Sequence, residues 1–110
     1  MNVLFICSRN KWRSLTAETI YKNTPGVKAK SAGTEPSARI KITVKLIDWA
    51  DIIFVMEKKH GQRLADKFPD NIINKSIIVL DIPDEYEYMD EEPVKTIKIS
   101  VDLYLDKLAN

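Results

Sequence analysis

The stretch "VLFICSRNKWRSLTAETI", residues 3–20, decides how this chain folds and where its chemistry lies. It starts as an apolar run that stops at Cys7, the only cysteine of the chain, and five mostly polar residues then lead to Arg13 and Ser14. The apolar run has the length and the content of Val, Leu, Phe and Ile that are typical of a buried strand. The residues from Leu15 onward have helical spacing. We therefore predict a strand, a short loop and a helix, with the cysteine at the end of the strand.

Short apolar runs recur along the chain and alternate with segments of helical spacing. The predicted strands are residues 2–6, 27–33, 51–56 and 76–80. The predicted helices are residues 15–23, 39–49 and 57–68, and a last one that begins near Glu91. Strands that are almost continuously apolar are typical of a parallel sheet covered on both faces. The order predicts an α/β three-layer sandwich, in which a four-stranded parallel sheet has helices on both faces and right-handed crossovers.

The helical segments also predict which side chains pack on the sheet. The expected buried faces are Ile40, Val44 and Ile47 in the second helix, and His60, Leu64 and Phe68 in the third. Trp49 and His60 lie on these apolar faces, so we expect both to be structural.

The whole chain has the composition of a globular domain. It has 110 residues, of which 45% are hydrophobic and 30% charged, and this length accommodates one domain over residues 1–110. The net charge of +1 gives no general attraction to nucleic acid or to an anionic membrane, so we expect neither as a partner. The first apolar run fits neither a signal peptide nor a spanning helix. A single cysteine builds no disulfide framework or cysteine-rich metal site, and we expect a cytoplasmic protein whose thiol stays free.

The loop after the first strand is a candidate anion site. Six consecutive backbone N–H groups, Ser8 to Arg13, lie between a strand end and a helix start, where a curled loop can point them inward. The Arg13 guanidinium can grip two oxygens of a tetrahedral anion, and Ser14 can donate its hydroxyl to the Cys7 sulfur. These groups favour the thiolate form of Cys7, which would be a nucleophile beneath a bound phosphate. The predicted phosphate-binding residues are Ser8, Arg9, Asn10, Lys11, Trp12, Arg13 and Ser14.

The same stretch resembles the phosphate-binding loop of the low-molecular-weight protein tyrosine phosphatases, which usually reads C-x-G-N-x-C-R-S-P before a helix that carries A-E. Three later segments resemble that family in order: "SAGT" at 31–34, "ADIIFVMEKKH" at 50–60 and "IPDEYEY" at 82–88. The resemblance covers nearly the whole chain and implies one phosphatase-like domain.

The resemblance implies a hydrolase for phosphate monoesters, in particular a protein tyrosine phosphatase, that forms a phosphocysteine and needs no metal or other cofactor. Cys7 would attack phosphorus, while the loop amides and Arg13 hold the oxygens. Asp84 matches the acid that protonates the leaving oxygen. In the family a proline follows this acid, whereas Glu85 stands there in this chain, and Asp81 therefore remains an alternative acid.

The resemblance also suggests how the substrate would be held. Tyr86 falls where the family has a tyrosine that lines the crevice, and Tyr88 is close to it in sequence. These two side chains either form a wall of the pocket or pack the acid loop against the core. The segment 35–49 is shorter than in relatives, which implies a shallower pocket. Arg9 and Lys11 replace a glycine and an apolar residue, and they either favour a substrate with several negative charges or are simply solvated. The expected partners are a phosphorylated protein or a small phosphate monoester, with inorganic phosphate and vanadate as inhibitors.

Other functions are compatible with the same loop. A non-catalytic module could hold a phosphoprotein there without turnover, which the altered acid loop makes plausible. The thiol-dependent arsenate reductases share the loop, but they need further cysteines, and this chain has none. Sulfur transfer through a persulfide on Cys7 has no special support from the loop residues.

Overall fold

The computed structural model describes residues 1–109, with side chains described through Lys107; Asn110, the last residue of the predicted domain, lies outside the described residues. Strands and helices follow one another in the predicted order. The elements are β1 (Asn2–Cys7), α1 (Arg13–Tyr21), β2 (Lys28–Gly33), α2 (Val44–Trp49), β3 (Ile52–Val55), α3 (Lys58–Lys67), α4 (Pro69–Ile72), β4 (Ser76–Val79) and α5 (Glu91–Ala109).

The four strands form one parallel sheet in the order β2-β1-β3-β4. The central strand β1 pairs with β2 up to Cys7↔Gly33 and with β3 up to Ile6↔Val55. The chain therefore crosses to one side of β1 first and to the other side later. Ligands of such sheets bind beyond the carboxyl ends of the strands at this switch point. Cys7 ends the strand at that point, so the fold places its loop at the preferred ligand crevice.

Side chains of β1 alternate between two apolar cores, one on each face of the sheet. Val3 and Phe5 point to the core that also contains Cys7 and is covered by α1 and α5. Leu4 and Ile6 point to the opposite core, which residues of α2 and α3 cover. Burying one such side chain completely contributes about 1.5–3 kcal/mol, so both cores fix β1 in register. The predicted four-stranded sandwich is confirmed.

The predicted helix over 39–49 is wrong in its first half. Residues 39–43 are not helical and pass beside the end of β2: the Gly33 N–H donates to the Ile40 carbonyl, and the Ile42 N–H donates to the Gly33 carbonyl. Helix α2 begins only after Thr43, whose side chain accepts from the Leu46 N–H as an N-cap. Ile40 and Val44 are consequently exposed, and Ile42 takes the buried position.

The third helix agrees with its predicted face. His60 and Leu64 of α3 are buried and Phe68 packs partly against the same core, while Trp49 at the end of α2 lies at the edge of it. The short helix α4, with Pro69 at its first turn, was not predicted. None of the helices in the described part of the chain has the length and apolar character needed to cross a membrane.

Candidate active site

The loop from Ser8 to Trp12 curls around the sulfur of Cys7. The Asn10 N–H donates to Cys7 Sγ at 3.2 Å, and Ser14 Oγ lies 2.9 Å from the same sulfur. Cys7 itself is almost completely buried, at 3% exposure. Among the described residues, the other amides of this loop have no protein acceptor. They remain available to an anion placed above the sulfur.

Asn10 gives the loop its shape. Its φ of 56° lies in the left-handed region, where asparagine is tolerated better than most residues. Its side-chain Nδ2 donates to Ser14 Oγ and to Ser31 Oγ, each at 2.8 Å, and Ser31 donates in turn to Glu18 Oε1 at 2.8 Å. Because Ser14 Oγ accepts a hydrogen bond from Asn10 Nδ2, its own hydroxyl proton is free to point at Cys7. The buried network therefore ends in a hydrogen bond that stabilises negative charge on the sulfur.

Arg13 is the first residue of α1 and is 4% exposed. Its Nη1 donates to Glu57 Oε2 at 2.7 Å and to the Ile82 carbonyl at 2.8 Å. Glu57 follows β3 closely and Ile82 follows β4, so the ends of two strands orient the guanidinium. Partial burial would raise the pKa of Glu57, but the hydrogen bond and charge of Arg13 outweigh it and hold this pKa below its usual value. Glu57 is therefore a stable anchor that leaves other N–H groups of Arg13 free.

His60 connects the start of α3 to the loop. The Glu57 N–H donates to His60 Nδ1 at 3.0 Å, which leaves the ring proton on Nε2. That nitrogen lies 3.0 Å from Ser8 Oγ and donates to it. Burial and, after it, the charge of Arg13 lower the pKa of His60 to about 4, so the ring is neutral at pH 7. His60 is thus a fully buried structural residue that also holds the first loop residue in place.

The segment after β2 supports the outer edge of the loop through its backbone. The N–H of Glu35 donates to the Ser8 carbonyl at 2.9 Å, and the N–H of Arg39 donates to the Arg9 carbonyl at 2.9 Å. Gly33 lies so close that a Cβ there would be 2.5 Å from the Ser8 oxygen. Glycine at position 33 is required by this close approach.

Of the two candidate acids, the structure places Asp84 in the cleft. The residues that line this cleft are Cys7, Ser8, Arg9, Lys11, Trp12, Arg13 and Asp84. Asp84 Oδ1 lies 3.7 Å from Arg13 Nε, and its side chain is 61% exposed at the cleft mouth. Asp81 is exposed and has a φ of 56°, and it is not among the lining residues.

The aromatic wall of the cleft is Trp12, which is 37% exposed. Tyr86 packs partly against the core beneath α5, and the Tyr88 hydroxyl lies 2.9 Å from Thr19 Oγ1 on α1. The structure therefore brings Cys7 together with the predicted acid, whereas neither tyrosine is among the residues that line the cleft.

Three supporting residues were not selected from the sequence. Glu57 could have been found, because it lies at the same sheet edge as Cys7 just beyond a neighbouring strand. Ser31 and Glu18 carry no such signal, since a serine in a strand and a glutamate in a helix are common.

Comparison with known proteins gives matches in structure. No family model matches the chain, and no curated protein matches it in sequence. The low molecular weight protein tyrosine phosphatase SP-PTP from Streptococcus pyogenes superposes with a TM-score of 0.78 at 18% identity, over 97% of this chain and 92% of that one. The chain has the low-molecular-weight protein tyrosine phosphatase fold.

Two further structures with this phosphatase fold match over nearly their full length. The tyrosine phosphatase Wzb from Escherichia coli K30, in complex with phosphate, has a TM-score of 0.79 at 22% identity and covers 97% of both chains. The YwlE arginine phosphatase from Geobacillus stearothermophilus has a TM-score of 0.72 at 19% identity, over 99% of this chain and 96% of that one. The phosphatase fold expected from the resemblance is confirmed.

Proposed function

We propose that this protein hydrolyses phosphate monoesters through a phosphocysteine intermediate and that its substrates are phosphotyrosine residues of proteins. One observation carries the proposal: Cys7, the free loop amides, an oriented Arg13 and Asp84 line the same cleft. A nucleophile, an oxyanion site and an acid at one place are the groups that displacement at phosphorus requires.

In the first step the thiolate of Cys7 attacks phosphorus. An S–P bond forms while the bond from phosphorus to the leaving oxygen breaks, and the protonated carboxyl of Asp84 gives its proton to that oxygen. The loop amides and Arg13 bind the three remaining oxygens, whose charge they stabilise without moving.

In the second step water attacks the phosphorus of the phosphocysteine. The carboxylate of Asp84 takes a proton from that water, the S–P bond breaks, and inorganic phosphate leaves. Ser14 donates its hydroxyl to the departing sulfur, at the 2.9 Å separation already seen.

The substrate class follows from the walls of the cleft. Trp12 offers an aromatic face beside the nucleophile, against which the ring of a phosphotyrosine can pack. Solved structures of the same fold contain tetrahedral anions, which is compatible with an anionic substrate: Wzb was crystallised with phosphate and with sulphate, and Vibrio vulnificus Wzb with benzylphosphonate. Inorganic phosphate and vanadate should accordingly inhibit the reaction.

We place the protein in the cytoplasm, where a thiol nucleophile stays reduced.

The test is hydrolysis of para-nitrophenyl phosphate near pH 6 under reducing conditions, by the native protein and by Cys7→Ser. We expect turnover by the native protein and none by the variant, which should still bind vanadate because the loop amides and Arg13 are unchanged. Turnover that survives Cys7→Ser would contradict the proposal. A native protein that binds phosphate but hydrolyses nothing would instead be a phosphate-binding module. Phosphoarginine, assayed in parallel, distinguishes an ester hydrolase from an arginine phosphatase such as YwlE.

A further inference from the structure

A second depression lies beside the catalytic cleft and shares part of its wall. Arg9 and Lys11 line both, and the far side of the depression consists of Ser37 and Arg39. The two hollows are therefore neighbours on either side of one loop edge, and both open to solvent. We call Arg9, Lys11 and Arg39 the basic rim.

The basic rim has an excess of positive charge. Arg9 forms an ion pair with Glu35, whose Oε2 lies 3.2 Å from Arg9 Nε, and the Arg9 side chain remains 70% exposed. The ammonium of Lys11 lies 5.1 Å from the centroid of the Trp12 ring, which keeps it beside the cleft wall. Among the described residues, Glu35 is the one carboxylate within ion-pair distance of these three cations.

Arg39 is held in place by the backbone of the loop. Its N–H donates to the Arg9 carbonyl, and its Nε donates to the Asn10 carbonyl at 3.3 Å. The two terminal nitrogens of its guanidinium have no protein acceptor among the described residues. An oriented guanidinium with free donors suits a carboxylate.

The phosphate of the substrate has donors of its own in the cleft. These are the loop amides and the guanidinium of Arg13, which Glu57 orients at 2.7 Å. Arg9 and Lys11 stand at the edge of the cleft, and Arg39 lies outside it in the second depression. A second anionic group of the substrate would therefore reach the basic rim from the cleft.

We propose that the basic rim binds an acidic residue next to the phosphorylated residue, so that the protein selects acidic phosphopeptides; this inference rests on the proposed phosphatase function. An open depression at a loop edge accommodates an extended peptide that crosses from the cleft to Arg39. The incoming carboxylate would compete with Glu35 for Arg9 and would bind the free guanidinium nitrogens of Arg39.

The size of the effect follows from the exposure of the rim. Exposed ion pairs are weak, and two of them together should raise kcat/KM by about threefold to thirtyfold. Because salt screens such pairs, the preference should shrink as ionic strength rises from about 0.01 M to 1 M.

The experiment compares two phosphotyrosine peptides that differ only in their flanking residues, glutamate in one and glutamine in the other. The native protein should prefer the glutamate peptide at low salt. Arg39→Gln should lose most of that preference, Arg39→Lys should keep only part of it because the charge remains but the oriented pair of donors is lost, and Lys41→Gln is the matched control. Lys41 is an exposed cation on the same segment that does not line the depression, so its loss should leave the preference intact.

Hydrolysis of para-nitrophenyl phosphate, which has no second anion, separates the two levels of the proposal. If the native protein hydrolyses it but treats both peptides alike, the basic rim inference is overturned and the phosphatase function stands. If Arg39→Gln slows both peptides and the small ester equally, Arg39 only supports the loop, and the inference is again overturned. If nothing is hydrolysed, the phosphatase proposal fails, and the salt dependence of binding of the two peptides to Cys7→Ser still tests the rim.

Discussion

Acid should destabilise this protein through His60, a residue far in sequence from the nucleophile. Its pKa is about 4 in the folded protein, against an ordinary value of 6.5. Between these two pKa values, His60 is protonated in the unfolded chain and neutral in the folded chain. Stability from His60 is complete above pH 6.5 and is lost as the pH falls from there to about 4. Between pH 7.5 and pH 5 the free energy of unfolding should fall by about 2 kcal/mol for this reason.

The physical cause lies in the surroundings of the ring. His60 has no exposed surface, and its two nitrogens are occupied by the Glu57 N–H and the Ser8 hydroxyl. A second proton on the ring would displace the Glu57 N–H and would place a charge near Arg13. Glu57 itself, with a pKa below its usual 4.5, contributes only at lower pH, outside this window.

The assay is urea denaturation at several pH values for the native protein and for His60→Gln. Glutamine can still donate to Ser8 but cannot titrate, so the variant should be less stable at pH 7.5 and should lose about 2 kcal/mol less on going to pH 5. Other ionisable groups contribute alike to both proteins and cancel in the difference. Parallel curves for the two proteins would refute the reasoning.

Three further predictions concern the loop and its acid. Arg13→Lys should lower kcat for an aryl phosphate by about 10²–10³, because a point charge replaces the planar donor set; near-native turnover would contradict the assigned role. Asp84→Asn should slow an ester with a poor leaving group by about 10²–10⁴ and an activated ester far less, while Asp81→Asn should change neither; the reverse pattern would move the acid to Asp81. Gly33→Ala should cost about 1–3 kcal/mol in urea denaturation and weaken phosphate binding, since its Cβ would lie 2.5 Å from a loop carbonyl. Gly61→Ala is the control, because the nearest atom to its Cβ would be 3.7 Å away and the change should be neutral or stabilising.

The parts of the fold that are local in sequence could be predicted. The strand that ends at Cys7 and the helix that carries Arg13 are both encoded within one continuous stretch, so their patterns are complete there. The prediction of a helix over 39–49 was wrong in its first half because the spacing of Ile40 and Val44 fits one face of a helix, although both side chains are in fact exposed. The conformation of that segment is determined by backbone hydrogen bonds to Gly33, and the spacing of apolar residues gives no information about such bonds.

The candidate site divides in the same way. Its chemical groups, apart from Asp84, lie in one loop and were identifiable from their order. The groups that orient them come from other strands and helices, as Glu57 orients Arg13 and Ser31 orients Asn10. Such contacts depend on how neighbouring strands are ordered in the sheet, which no local pattern contains.

The left-handed conformation of Asn10 has a consequence for the rate of anion binding. Its side chain is fixed by Ser14 and Ser31, both within the folded core, so the loop holds its shape independently of any anion. Capture of a phosphoryl group then requires no rearrangement of the backbone, and the rate of encounter is limited by diffusion and by the local electric field. Folding alone thereby sets the geometry of the anion site, and each turnover of the proposed reaction would only fill and empty it.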